Sequence, residues 1–195
     1  MSLYSMHPGF SMEERSRRIL KERTGRTLQE WSRLVKKSGP PTASGRREWL
    51  KTRHGLTTSY AAWVVECAEG KGTAANYDPE ALVEAMFTGP KATLRPLYDR
   101  LLDLGLSAGK EVKACPCATI VPLYRRHVFA QIKPATNTRI DMGFALKEMK
   151  PVGRLIDTGG FAKKDRITHR IPVTSASDIN DEVKRWLKRA YEMDA

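Results

Sequence analysis

The residues best suited by type and spacing to carry chemistry are Asp141 and the triplet Glu148-Met149-Lys150. An acid on a β-rich run followed by E-x-K is a pattern by which two carboxylates hold Mg²⁺ while a lysine assists the attacking water. On that reading, the alternative to a binding protein, the chain is a nuclease-like, metal-dependent hydrolase using Asp141, Glu148 and Lys150. The spacing is short, no glutamate on a helix completes the site, and Lys150 precedes Pro151 where a strand must end. Charged hairpin ends explain the same residues, so catalysis is not the preferred expectation.

Other reactive groups are sparser. Cys115-Pro116-Cys117 places two thiols on one face of an extended segment, but two ligands do not make a tetrahedral zinc site, and Cys67 falls on a helical core stripe. The four histidines, His7, His54, His127 and His169, are far apart in sequence, although His127 and His169 lie on runs that are candidates for neighbouring strands. No Ser-His-Asp set or nucleophile elbow is present, and Asp157-Thr158-Gly159-Gly160 lacks the lysine and the strand-to-helix context of a phosphate-cradling loop. No cofactor or metal is expected. Three cysteines cannot build a disulfide framework, which favours a reducing, cytoplasmic compartment. Met1–Met12 has no basic and then apolar signal-peptide pattern. The apolar run Tyr60–Val65 is far short of the ~20 residues that span a bilayer.

Charge is the strongest global signal. The 195 residues carry 34 Lys and Arg against 22 Asp and Glu, a formal charge of +12, with a pI near 9.8. The excess is spread along the chain: residues 1–75 hold 14 basic and 7 acidic side chains, residues 76–195 hold 20 and 15. Local clusters are Arg15-Arg17-Arg18, Lys36-Lys37, Arg46-Arg47-Lys51-Arg53, Arg125-Arg126, Lys163-Lys164-Arg166 and Lys184-Arg185-Lys188-Arg189. Such groups bind phosphates independently of sequence, by counterion release. A solvated basic face is the bland alternative. The expectation is a binding protein for an anionic partner, nucleic acid first and an acidic protein second, with no membrane role. Its contacts are expected from Arg125, Arg126, Lys133, Arg139 and Arg170 on a sheet rim, and from Arg46, Arg47 and Lys51 on a helix. Nothing in the sequence gives the oligomeric state.

The elements that must position these residues divide the chain into a loose arm (1–10), a helical domain (11–69), a linker (70–76) and a mixed domain (77–195). Ser11 is placed to cap a first helix that ends near Gly25. Thr27-Leu28-Gln29-Glu30 reads as a capping box, followed by Leu28, Trp31, Leu34 and Val35 on one stripe. After the Pro/Gly break at 38–45, a helix over 46–53 stops at His54-Gly55, and Thr57 or Thr58 caps a helix with Tyr60, Trp63, Val64, Cys67 and Ala68 on one face. This pair has helix-turn-helix lengths, yet its second helix offers only Thr57, Thr58 and Ser59 to a base edge, so any contact is with phosphates. Two more helices begin at Asp78-Pro79 and Gly89-Pro90. The period then changes to 2 over 118–126, 127–135 and 138–146, an antiparallel meander, with another strand over 167–174. Pro122 and Pro172 belong at edges or bulges. A helix over 178–193, capped by Ser177, closes an α+β fold: a small helical bundle, then an antiparallel sheet packed with helices.

The stretches TGRTLQEWSRLVKKSG and REWLKTRHGLTTSYAAWVV resemble a short bacterial helical domain of unknown function (domain of unknown function 4287), with its T-G-x-(S/T)-L-x-x-W start and later W-L-K-x-x-H-G-L. YRRHVFAQIKPATNTRIDMGFAL, THRIPV and VKRWLKRAYE resemble a second such domain (domain of unknown function 5655, formerly labelled a predicted transport protein) that often follows the first. Together the two cover roughly residues 20–193. The resemblance implies architecture and no activity. Where many members of the first family continue from G-L into His-Gly-His, this chain has Thr57-Thr58-Ser59-Tyr60.

Overall fold

The computed structural model describes residues 2–10, 13–70 and 77–195. It divides into two compact units, residues 6–77 and residues 1–5 with 78–195. The expected cap at Ser11 and most of the expected linker lie outside the described residues.

The first unit consists of α1 (Glu13–Thr24), α2 (Leu28–Ser38), α3 (Ala43–His54) and α4 (Thr58–Ala68), with α4 packed on α2 and α3. Thr27 and Glu30 form a reciprocal capping box at the start of α2. Thr57 caps α4, its hydroxyl accepting from Tyr60 N. α3 starts three residues earlier than the 46–53 helix expected from sequence, because Thr42 accepts from Gly45 N and caps it. Its end is as expected: Gly55 takes φ 68°, a conformation L side chains resist. Leu20, Trp31, Val35, Leu50, Leu56, Ala61, Val64 and Val65 form the core.

The second unit begins with α5 (Pro79–Met86), capped by Asp78, then a 3₁₀ segment (Gly89–Leu94) leading into α6 (Arg95–Leu106). Six antiparallel strands follow: β1 (Lys113–Ala114), β2 (Val121–Tyr124), β3 (Val128–Pro134), β4 (Ile140–Phe144), β5 (Ile156–Asp157) and β6 (His169–Val173), in spatial order β1-β2-β3-β4-β6-β5. The strands are shorter than the apolar runs suggest, and β1 and β5 were not expected. β4 separates β3 from β6, so the runs bearing His127 and His169 are not neighbours. Pro172 lies beyond the reach of β5, which pairs only with His169 and Arg170, so no ladder donor is missed on that side. Residues 2–5 are not the loose arm expected of them: Tyr4 bridges to Ala114, its hydroxyl is 3.0 Å from that of Tyr98, and Ser5 N donates to Ala114 O.

Alternation along the strands defines two faces. Val121, Leu123, Ala130, Ile132, Ile140, Met142, Phe144, Ile171 and Val173 are buried, and α6 and α7 (Asp181–Met193) pack on the central strands. The opposite face carries Gln131, Lys133, Asp141, Gly143 and Arg170, paired across β3, β4 and β6. α7 is capped by Asn180, not Ser177. Ser175 and Asp178 cap each other's backbone in a preceding 3₁₀ turn, and that turn uses the residues assigned to the helix start.

Candidate nucleic-acid interface

The basic residues expected on one rim fall in two places. Lys133, Arg139 and Arg170 surround Asp141 on the open sheet face. Asp141 is buried, with Arg139 Nε at 2.8 Å and Arg170 Nη1 at 2.5 Å. Its single negative charge is shared between Arg139 and Arg170 and offsets one of the three cations beside it. Arg125 and Arg126 sit at the β2–β3 turn, at the other end of β3 from Lys133. Seven residues of extended chain put these ends roughly 20 Å apart.

The hydrolase constellation is likewise not assembled. Asp141 lies near the start of β4, whereas Glu148 and Lys150 are exposed in the loop beyond its end. Among the described residues no group of three or more His, Cys, Asp or Glu could hold a metal. Cys115 is buried and Cys117 half-buried, and burial raises both thiols, Cys115 to about 11. They are poor nucleophiles at neutral pH. His169 is a buried structural group: Thr168 Oγ1 and His169 Nδ1 are 2.8 Å apart, and His169 Nε2 is 2.7 Å from Met149 O. Leu146 N donates to the same Thr168 hydroxyl. A hydrogen on Nε2 satisfies every one of these contacts, and the assembly anchors the 146–149 loop.

The β2–β3 turn is tied to the end of α7. Arg125 Nη1 donates to Tyr191 O at 3.2 Å, and its guanidinium stacks over the Tyr191 ring at 4.4 Å. A cation at a helix C-terminus is favourably placed. Arg126 N and His127 N donate to Asp194 Oδ2 at 3.0 and 2.8 Å, and His127 Nδ1 is 3.1 Å from Oδ1, which Arg166 also contacts. Burial raises the Asp194 carboxyl, but the His127 hydrogen bonds and the Arg166 charge prevail and hold it below its ordinary value.

α7 itself supplies what the separate strands do not. Val183, Leu187 and Ala190 face the core, while Lys184, Arg185, Lys188 and Arg189 are all exposed on the outward side over two successive turns. Acidic side chains flank the stripe at Asp181 and Glu192, where Lys184–Asp181 (3.0 Å) and Lys188–Glu192 (4.0 Å) pair. Arg185 and Arg189 form no ion pair among the described residues. With the exposed Arg126 at the helix end, these residues form a basic surface on the unit. The sequence displays it as one cluster among six. Its helical phase distinguishes it.

A cleft of about 710 Å³ opens beside Asp194, with Lys147, Phe161, Lys164 and Thr168 in its walls. Lys147 and Lys164 both take left-handed backbone, φ 56° and 60°. Lys147, Lys164 and Arg166 are matched there by Glu148, Asp165 and Asp194, so the cleft has no excess charge for a polyanion. In the helical unit, Arg46 is spent on Pro40 O (2.8 Å) and lies 3.7 Å from Glu69, and Lys51 pairs with Glu48 at 2.9 Å. Of the three α3 residues expected to contact an anion, only the exposed Arg47 forms no ion pair among the described residues.

The family model described as Domain of unknown function (DUF5655) matches residues 83–194. The chain belongs to this family. Residues 18–70 match a second model, Domain of unknown function (DUF4287), so the two domains stand in the order their sequence patterns indicate. Comparisons with curated proteins and with solved structures found no significant match. No helix among the described residues is long and apolar enough to cross a membrane.

Proposed function

We propose that this DUF5655-family chain is a non-enzymatic binding protein of the cytoplasm, whose anionic partner is nucleic acid held through its phosphates. The observation that supports the reading is the outward face of α7, where four cations occupy two turns and neither Arg185 nor Arg189 forms an ion pair among the described residues. Arg126 belongs to the same surface through the tie of its backbone to Asp194, whereas Arg125 contributes less, because it is bonded to Tyr191 O and pairs with Glu111 at 3.3 Å. Lys133, Arg139 and Arg170 contribute less, because Asp141 cancels charge beside them. The stripe presents no aromatic platform aligned with bases. Its contacts are therefore with phosphates and carry little sequence preference.

The test is a mobility-shift titration of the full chain with duplex and single-stranded DNA of two unrelated sequences, in low and in raised salt. Retardation that is similar for both sequences, weakens with salt and is reduced in Arg185→Glu/Arg189→Glu is expected. No complex at low salt ends the proposal. Competition by poly-glutamate as strong as that by unlabelled DNA points instead to an acidic protein.

A further inference from the structure

The helical unit contains a second, separate concentration of positive charge. The end of α1, the loop to α2, the end of α3 and the start of α4 enclose a cavity of about 490 Å³, within the range of small-molecule sites. Arg23, Arg26 and Arg53 line it, and no carboxylate does. None of the three arginines forms an ion pair among the described residues. Three exposed guanidinium groups gathered around one concavity suit an oxyanion, which accepts from them in bidentate geometry.

Local structure clears the site of competing acceptors. The carbonyls at the end of α3 are occupied, Lys51 O by Gly55 N and Leu50 O by Leu56 N. At the end of α1, Gly25 N bonds Lys21 O and the Thr24 hydroxyl donates to Leu20 O. α4, eleven residues long, begins at the cavity and brings the positive end of its dipole there, facing the C-terminal ends of α1 and α3, so the arginines and not the helix dipoles supply the positive charge. His54 is a further wall residue. Its ring meets Trp31 and Trp49 edge-on, at 5.2 and 4.5 Å, and its Nε2 is buried with no hydrogen-bond partner among the described residues. Burial and then the charges of Arg26 and Arg53 lower the His54 pKa. Arg26 is held over Trp31, 5.1 Å from the ring centroid, so the cluster is partly preorganised.

We infer that the cavity bounded by Arg23, Arg26, Arg53 and His54 is a binding site for a phosphoryl group, as free phosphate or as the monoester of a small molecule. The site is independent of the α7 surface, and either one stands if the other fails. Sequence reasoning missed it because its three arginines come from three separate elements and two of them stand outside any basic cluster.

The experiment is calorimetric titration of the full chain at fixed ionic strength with inorganic phosphate, ribose 5-phosphate, adenosine 5′-monophosphate and adenosine. The expected result is saturable one-to-one binding of the phosphorylated compounds, no binding of adenosine, at least tenfold weaker binding in Arg26→Ala/Arg53→Ala, and unchanged binding in a variant of the exposed Arg100, Arg100→Glu. Arg53→Lys, which keeps the charge and loses the fork, is expected to be intermediate, and it provides the readout if the double variant fails to fold. Tighter binding of a monoester than of phosphate identifies the organic part as recognised, and equal binding identifies free phosphate as sufficient. Either result supports the site. Absence of saturable binding up to about 10 mM phosphate or monoester, or equal binding by the wild type and the arginine variants, overturns it.

Discussion

Asn in place of Asp194 is the sharpest probe of how the α7 surface is assembled. The carboxylate is almost fully buried, accepts two backbone N–H groups and contacts His127 Nδ1 and Arg166. Asp194→Asn keeps the shape, but it removes the charge and leaves one oxygen to serve donors that now use two. Hydrogen bonds to a charged acceptor are worth about 1.5–3 kcal/mol each. His127 and Arg166 are 68% and 47% exposed, so their Coulombic share is screened. A net loss of roughly 2–3 kcal/mol follows. With an m-value of about 2 kcal/mol/M, the urea midpoint falls by roughly 1–1.5 M at pH 7. The folded carboxyl is held below its unfolded value, so its contribution is complete above the unfolded value of about 3.9 and disappears as pH falls through the folded value. The difference between wild type and variant must therefore shrink between pH 5 and pH 3. A midpoint shift smaller than about 0.3 M, or a difference independent of pH in that range, refutes the reasoning.

Asp141→Asn is expected to destabilise the chain by roughly 1–3 kcal/mol, because Arg139 and Arg170 lose their common partner. Mg²⁺ should not alter the melting temperature of the wild type. A Mg²⁺-dependent rise that the variant lacks would restore the hydrolase reading. A methyl group at Gly105 would meet Leu123 Cδ1 at 2.4 Å, so Gly105→Ala should cost about 1–3 kcal/mol in chemical denaturation despite its better helix propensity. A neutral or stabilising result would mean that α6 rides less closely on β2 than described. Cys115 should resist alkylation at pH 7.4 and react quickly once urea unfolds the domain, since only about one thiol in several thousand is ionised at a pKa of about 11. Rapid native labelling contradicts that environment.

Local chemistry made part of the fold legible. The reciprocal Thr27–Glu30 cap, the stop at Gly55 and the Asp78-Pro79 start are each written within a few residues, and the structure uses all three. Lys133 and Arg170, expected only on a sheet rim, lie on the open sheet face. What failed depended on distant partners. The register shift between Leu123 and Tyr124 and the tight turn after it break the alternation that would have sent Arg125 to that face, and the side chain goes to Tyr191 instead. The start of α7 was misplaced because Asp178 accepts from Thr174 N and Ser175 N, and because Arg154, more than twenty residues earlier, binds both Asp178 and Glu182. β1 and β5, two residues each, are too short to show a period. The partnership of Asp141 with two arginines turned a candidate metal ligand into a structural ion pair, and no sequence spacing announced it.

The most direct test of the central claim is the salt dependence of DNA affinity, measured by fluorescence anisotropy for the wild type and for a variant carrying Arg185→Gln and Arg189→Gln. If α7 neutralises phosphates, log K falls linearly with log salt, and the slope becomes shallower by about 1 for each arginine removed, to the same extent on unrelated sequences. An unchanged slope in the variant would contradict the account and move the phosphate contacts to another surface.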